Sequence, residues 1–337
     1  MENLKKRDNE SKEEFIARVY DSKVKNNLKN EDCANIINKE FGTNWRESYC
    51  RGIAKNFKKG YESALKSQSV QFDNTVMIIN DLHCPFERSD VLDIIKKHAH
   101  EITTLVINGD FLDCYAISSF SKIKTKDFED ELIYGYEFLK KIRAVLNNGQ
   151  QIIFTQGNHC MRWKTIIQKM QEKDLQRFIN PNILEMFSEG FTIYKDNKKV
   201  YYKPIEGIQV ISHWYIQIDR MVICHPLTFS AIKGKSLENN VSHFINKGLD
   251  FDLVVFGHTH KYASGIVDRY GSKFAVENPC LCKPQGYADG GKLGYTPQAY
   301  GYTIVKYNKD EHIDINNIKT YLLNEEEDVT SQYKIEL

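Results

Sequence analysis

From Val76 onward the chain is punctuated by short, uninterrupted apolar runs: VMIIN at 76–80, TLVIN at 104–108, QIIFT at 151–155, MVIC at 221–224 and LVVF at 253–256. Runs this short, β-rich and without polar alternation predict strands buried on both faces of a sheet. Helical stretches, such as Val91–His100 and Phe128–Leu146, lie between the first three. Strands alternating with helices predict an α/β domain. After His260 the chain turns strand-rich: SGIVDRYGSKFAVEN predicts a hairpin turning at Tyr270 and Gly271, and AYGYTIVKY a further strand. The Gly-, Lys- and Tyr-rich residues 282–297 read as a surface loop, and 161–205 as an insertion, first helical and then irregular.

The first 66 residues follow a different pattern. Phe15, Ile16, Val19 and Tyr20 sit at helical spacing. Asn30, Glu31 and Asp32 cap a second predicted helix with Ile36, Ile37 and Phe41 on one face, and Gly42-Thr43-Asn44 breaks it. A third helix spans 45–57 and displays Arg46, Arg51, Lys55, Lys58 and Lys59. Two readings stand side by side: a helix-turn-helix that turns a basic helix toward nucleic acid, or a small bundle used for packing or oligomerisation. The expected organisation is therefore a helical module at 1–66, a polar linker at 67–74, the α/β domain at 75–324 and an acidic tail at 325–337.

Charge sharpens that division. The whole chain carries 46 basic and 45 acidic residues, a net of +1. Residues 1–70 hold 15 of the Lys and Arg and 11 of the Asp and Glu, a net of +4. A mildly basic appendage on a neutral domain is compatible with nucleic-acid contact. The start, MENLKKRDNESKEE, has no apolar signal region, and no apolar run approaches the ~20 residues that span a bilayer. The expectation is a cytoplasmic protein without membrane contact, its eight cysteines reduced. Cys280 and Cys282 have no second pair with zinc-finger spacing.

The chemistry gathers where the apolar runs end. Asp81-Leu82-His83, Gly109-Asp110-Phe111-Leu112-Asp113, Gly157-Asn158-His159, His225 and Gly257-His258-Thr259-His260 each follow one of these runs. Loops at the carboxyl ends of parallel strands converge on one crevice, and the flanking glycines permit tight turns directly after a strand. Two divalent ions held ~3.5–4 Å apart need a mixed set of oxygen and imidazole ligands. Asp81, His83, Asp110, Asn158, His225, His258 and His260 supply that mixture. Imidazole favours Mn, Fe, Zn or Ni over Mg.

D-x-H, GD-x-x-D, GNH, H and GH-x-H, in this order, resemble the signature of the calcineurin-like metallophosphoesterase superfamily. The resemblance covers roughly residues 75–307, and the complete five-part set is highly specific. It implies a four-layer αββα sandwich of two mixed sheets flanked by helices, beside the small helix-turn-helix-like N-terminal module. It implies a first metal held by Asp81, His83, Asp110 and His260. A second would be held by Asp110, Asn158, His225 and His258, with Asp110 as the bridge and Mn the expected ion. His159 would be the general acid that protonates the leaving oxygen, and Asp113 the carboxylate that orients it. The nucleophile would be a hydroxide made available by the two cations near neutral pH.

Position 160 is Cys where Asp or Glu often follows GNH, and Asp113 is followed by Cys114-Tyr115 instead of Arg-Gly. The second departure argues against the phosphoprotein-phosphatase branch. Arg162 is a candidate contact to substrate phosphate, with an ordinary surface arginine as the alternative. His98, His100, His213 and His243 read as loop residues. Cys84 and Cys160 lie beside the motifs, but a cation-activated water explains more than a thiol nucleophile without its own base.

The resemblance leaves substrate open, because fold and metal centre are common to nucleases, phosphodiesterases and phosphatases. The basic helical module, and a resemblance to DNA-repair-exonuclease-like members from phages and Gram-positive bacteria, favour a nuclease acting on DNA. A phosphodiesterase or phosphatase of nucleotides or cyclic nucleotides is the alternative, and a non-catalytic nucleic-acid-binding protein a second.

Overall fold

The computed structural model describes residues 4–7, 10–69, 72–119, 127–170, 179–195, 198–232, 234–267, 273–284 and 298–325, with side chains at 59–69 and 195 left aside. The chain divides into two compact units, Met1–Gln71 and Phe72–Leu337.

The first unit holds three helices, α1 (Lys12–Asp21), α2 (Asn30–Phe41) and α3 (Glu47–Ser69). A capping box starts α1: Ser11 Oγ accepts from Glu14 N, and the Glu14 carboxylate accepts from Ser11 N. Gly42 ends α2 at φ +63°, a left-handed conformation that glycine reaches without a Cβ penalty. Asn38 Oδ1 then pins the turn by accepting from Trp45 N at 2.8 Å and Thr43 Oγ1 at 2.9 Å. Phe15, Ile16, Val19, Ile37 and Cys50 fill the core between the helices. The third helix does not stop at residue 57. It runs to Ser69, into the stretch expected as linker, because ESALKSQS is built of good helix formers without a breaker. Arg51 pairs with Glu47 at 2.9 Å and Lys58 with Asp21 at 3.2 Å, both on the surface. The side chain of Lys59 lies outside the described residues.

The second unit contains strands β1 (Asn74–Asn80), β2 (Thr104–Asn108), β3 (Gln151–Thr155), β4 (Phe191–Lys195), β5 (Lys198–Tyr202), β6 (Ile208–Ile211), β7 (Tyr215–Ile218) and β8 (Met221–Cys224). They continue as β9 (Leu253–Phe256), β10 (Ala263–Val267), β11 (Lys273–Glu277), β12 (Tyr300–Tyr307) and β13 (Ile318–Leu323). Helices α4 (Val91–His98), α5 (Phe128–Val145), α6 (Cys160–Lys169), α7 (Glu185–Glu189) and α8 (Lys235–Asn246) accompany them. One mixed sheet runs β13-β12-β1-β2-β3-β6, with β1, β2, β3 and β6 parallel. The other runs β10-β11-β9-β8-β7, with β11, β9 and β8 parallel.

Successive residues of each apolar run face different layers. Val76, Ile78, Val106, Met221, Ile223, Leu253 and Val255 meet in a cluster shared by the two sheets. Met77, Ile79, Leu105 and Ile107 face the other way, onto α4 and α5. Val222, Val254 and Phe256 pack on Val241 and Phe244 of α8. The result is the four-layer αββα sandwich, and it explains why these strands lack polar alternation.

The insertion differs from its expected irregular course. Its second half is the antiparallel hairpin β4–β5, where Phe191 and Tyr202 stack at 4.7 Å. Residues 171–178, the turn at Tyr270 and Gly271, most of the loop 282–297 and the tail from 326 fall outside the described residues. His98 is no loop residue. It is buried at the end of α4, with Nε2 2.8 Å from Tyr302 Oη and Nδ1 2.6 Å from Glu101. Among the described residues, no helix is long and apolar enough to cross a membrane.

Candidate metal centre

Parallel register brings the motif-bearing strand ends into one row. Asn80 of β1 pairs with Asn108 of β2, Asn108 with Thr155 of β3, and Cys224 of β8 with Phe256 of β9. The sheets are tied together here by the two strand-end asparagines. Asn108 Nδ2 donates to the Cys224 carbonyl at 2.8 Å, and Asn80 Nδ2 donates to Asp81 Oδ2 at 2.7 Å and to the Asn278 carbonyl at 3.1 Å.

Five of the seven expected ligands adopt left-handed backbone conformations: Asp81 (φ 53°), His83 (51°), Asp110 (39°), His258 (84°) and His260 (54°). Such strain in non-glycine residues costs about 1–3 kcal/mol each and clusters at functional sites. The glycines act differently from expectation. Gly109 has a positive φ of 73°, but Gly157 and Gly257 do not. They are needed for closeness: a Cβ at Gly157 would stand 2.1 Å from Asp110 Oδ1, and one at Gly257 2.9 Å from Asp81 Oδ2.

The side chains converge. Donor atoms of Asp110, His225 and His258 lie within 4.8 Å of one another, as do those of His83, Asp110 and His159. Asn158 Oδ1 is 2.8 Å from His258 Nδ1 and 3.2 Å from His225 Nε2. Asp81 Oδ1 is 3.6 Å from His260 Nε2 and 3.7 Å from His225 Nε2.

Tautomers follow from the outer partners. His225 Nδ1 lies 3.1 Å from the Asn108 carbonyl, which can only accept, so Nδ1 carries the hydrogen. In the neutral ring, Nε2 then turns a lone pair toward Asp110 Oδ2, 3.2 Å away. His83 Nδ1 lies 2.8 Å from Asp113 Oδ1, leaving Nε2 to face His260 Nε2 at 3.2 Å. Asp110 Oδ2 is buried without a hydrogen bond. With the rings neutral, acceptors would face acceptors around this buried oxygen, an arrangement that a proton on His225 or a cation among the ligands relieves. The donor set therefore fits divalent cations.

Electrostatics agree. Burial opposes charge on both partners, yet Asp110 and Asp81 push His225 up to about 9. Burial likewise opposes charge on His260, but Cys280 and Asp81 push it up to about 9. His258, buried and next to His225, is pushed down to about 4. Burial works to raise Asp81 and Asp110, but the surrounding imidazoles hold both well below the usual carboxylate range.

His159 stands at the edge of the cluster. Its Nδ1 donates to the Asp113 carbonyl at 2.7 Å and lies 3.1 Å from Asp113 Oδ1; its Nε2 is 3.9 Å from Asp110 Oδ2. Burial disfavours the cation, but Asp110 and Asp113 outweigh it and raise the ring's pKa. Asp113 thus serves His83 as well as His159. Arg162 donates from Nη1 to the Asp113 carbonyl at 2.8 Å and sets Nη2 3.1 Å from His159 Nε2, so its present contacts buttress the histidine. Burial pushes the Cys160 thiol up to about 12 and that of Cys84 well above its usual range, which fits neither for a nucleophile.

Several contributing residues escaped the sequence reading. Gln298 Nε2 lies 2.6 Å from His260 Nδ1 and Cys282 Sγ 3.8 Å from it, both far along the chain. Phe229 sets its ring 5.7 Å from that of His258. Asn80 and Asn108 had a signal: each is a polar residue closing an otherwise apolar strand.

Comparison with known proteins identifies the family of the second unit. The model of the calcineurin-like phosphoesterase family matches residues 75–262, more than half of the chain. The model of the YonJ N-terminal domain matches residues 1–69. Among solved structures, Vps29 from Chaetomium thermophilum is similar at 9% identity, over 74% of this chain and 97% of that one, with a TM-score of 0.34. A metallophosphoesterase from Sphaerobacter thermophilus is similar at 10% identity, over 75% and 89%, with a TM-score of 0.33. A predicted phosphoesterase from Streptococcus pneumoniae is similar at 11% identity, over 74% and 98%, with a TM-score of 0.28. No curated protein matches the chain.

Proposed function

Because the chain belongs to the calcineurin-like phosphoesterase family, we propose that its phosphoester hydrolysis is directed at the phosphodiester bonds of DNA and depends on two divalent cations, Mn the first choice. The observation that carries the site is the ring of acceptors around Asp110 Oδ2. Asp81, His83, Asp110 and His260 would hold one cation, and Asp110, Asn158, His225 and His258 the other. Such a pair supplies Lewis acidity and a water ionised near neutral pH.

The chain's own groups do the rest. Asp113 holds Nδ1 of His83 and of His159, fixing both rings. His159, its pKa raised, would carry the proton for the leaving oxygen at Nε2 once Arg162, now 3.1 Å from that atom, pairs with the phosphate instead. What supports DNA is the basic excess of residues 1–70, with Arg46 just before α3 and Lys55 on it.

The test is the full chain in Mn²⁺, assayed on single- and double-stranded DNA, RNA, cyclic dinucleotides and bis(p-nitrophenyl) phosphate, beside a chain starting at Phe72. The reading expects DNA cleavage that weakens without residues 1–71 and falls at least roughly 100-fold in His159→Ala. Nucleotide hydrolysis that survives the truncation, with DNA left intact, would favour the small-molecule alternative. DNA binding without turnover of any ester would favour the non-catalytic one.

A further inference from the structure

The ligand cluster accounts for a phosphate but not for what is attached to it. A cavity of about 650 Å³ opens beside the cluster, with Gln156, Lys164, Trp214, Phe229, Asn239 and His243 in its walls. Three links join the two. Gly157, also in the wall, directly precedes Asn158. The Trp214 carbonyl accepts from His225 N at 2.7 Å. The Phe229 ring meets that of His258 at an interplanar angle of 63°. A substrate whose phosphate lies among Asn158, His225 and His258 places its adjoining group here.

The lining selects the chemistry of that group. Lys164 is the one charged side chain besides imidazoles among the described lining residues, and no carboxylate joins it. A second phosphate or an acidic peptide would call for several cations. Phe229 instead stays 47% exposed, with Lys261 Nζ 5.4 Å from its ring centroid and Leu227, also in the wall, at 56%. Trp214 is held in place against Phe244 (5.5 Å) and His243 (5.3 Å). Amide groups of Gln156 and Asn239 stand among these rings. Aromatic faces with a few amides suit a flat ring that carries hydrogen-bonding edges.

We propose that this cavity is a nucleobase subsite, which takes the base of the nucleoside esterified to the phosphate at the cluster. The base stacks on Phe229 and Trp214, and the amides of Asn239 and Gln156 meet its edge. The inference rests on the phosphodiesterase reading for its phosphate position and deepens it: the substrate is nucleotidic, supplied either by a strand or by a free dinucleotide.

Equilibrium binding tests it without turnover. The full chain in Ca²⁺ is titrated with a deoxydinucleotide containing 2-aminopurine, whose fluorescence stacking quenches. Competitors are the unlabelled dinucleotide, its counterparts lacking one base or the other, and a 12-residue single strand with or without one abasic position. The expected result is quenching on binding and a loss of roughly 10- to 100-fold in competition when the captured base is missing. Phe229→Leu and Asn239→Ala, both at exposed positions, should cut that discrimination several-fold. The competitor with the larger base dependence identifies the source. Equal competition by intact and abasic ligands, or full discrimination in both variants, overturns the subsite. Base-dependent binding without hydrolysis of any diester in Mn²⁺ would sink the enzyme reading and leave the subsite standing; base-indifferent hydrolysis would do the reverse.

Discussion

Asp113 Oδ1 lies 2.8 Å from His83 Nδ1. The same oxygen is 3.1 Å from His159 Nδ1, so one carboxylate fixes a metal-facing ring and a proton-donating ring together. Asp113→Asn should therefore damage two functions where His159→Ala damages one. We expect metal affinity to fall roughly 10- to 100-fold in Asp113→Asn, and hardly at all in His159→Ala. Metal titrations of both variants check this; equal affinities would contradict the shared role.

Gly157 is a spacing residue. A Cβ there would meet Asp110 Oδ1 at 2.1 Å and Asp110 N at 2.3 Å, and neither can retreat within the strand end. Gly157→Ala should cost at least about 2 kcal/mol of stability, read as a lower urea midpoint, and should weaken metal binding. A variant with unchanged midpoint would show that this loop is loose.

Away from the centre, Arg220 grips Asp252 at 2.7 Å and Asp250 at 2.7 Å, with His312 on Asp252 at 3.0 Å. Burial tends to raise Asp252, but Arg220 and His312 bring it down to about 2. A depressed carboxylate contributes stability above its unfolded pKa of ~4 and loses it as pH falls toward 2. Urea unfolding between pH 5 and 2 should show about 1–2 kcal/mol less acid sensitivity in Asp252→Asn than in the parent chain. Parallel pH profiles would contradict the assignment.

Proton release reports the histidines of the centre. His225 and His260 are raised to about 9, so both carry an extra proton at pH 7.5 without metal. Coordination needs the neutral ring, so binding expels those protons, and affinity rises with pH up to about 9. Calorimetry with Mn²⁺ in buffers of different ionisation enthalpy should find up to two protons released per chain at pH 7.5. No release would mean that these rings are not ligands.

The strand ends were legible because their chemistry is local: a doubly buried strand must be continuously apolar, and Asp81, Asp110 or His258 directly after one stands out. The same locality limits the reading. The resemblance implied Asp113 as the partner of His159 alone, yet its nearer partner is His83, brought in by parallel register between β1 and β2. The cavity is assembled from Gln156, Trp214, Phe229 and Asn239, four segments with no common spacing. Residues 67–69 read as the start of a linker because they are polar, although polarity does not oppose a helix. The hairpin β4–β5 was hidden because its strands are short and mostly exposed, so no apolar run marks them.

Equilibrium dialysis against Mn²⁺ tests the central claim most directly. The arrangement around Asp110 predicts two ions per full-length chain, and at most one in Asp110→Asn, which weakens the shared ligand. Fewer than one ion in the parent chain, or two retained in the variant, would contradict the two-metal centre.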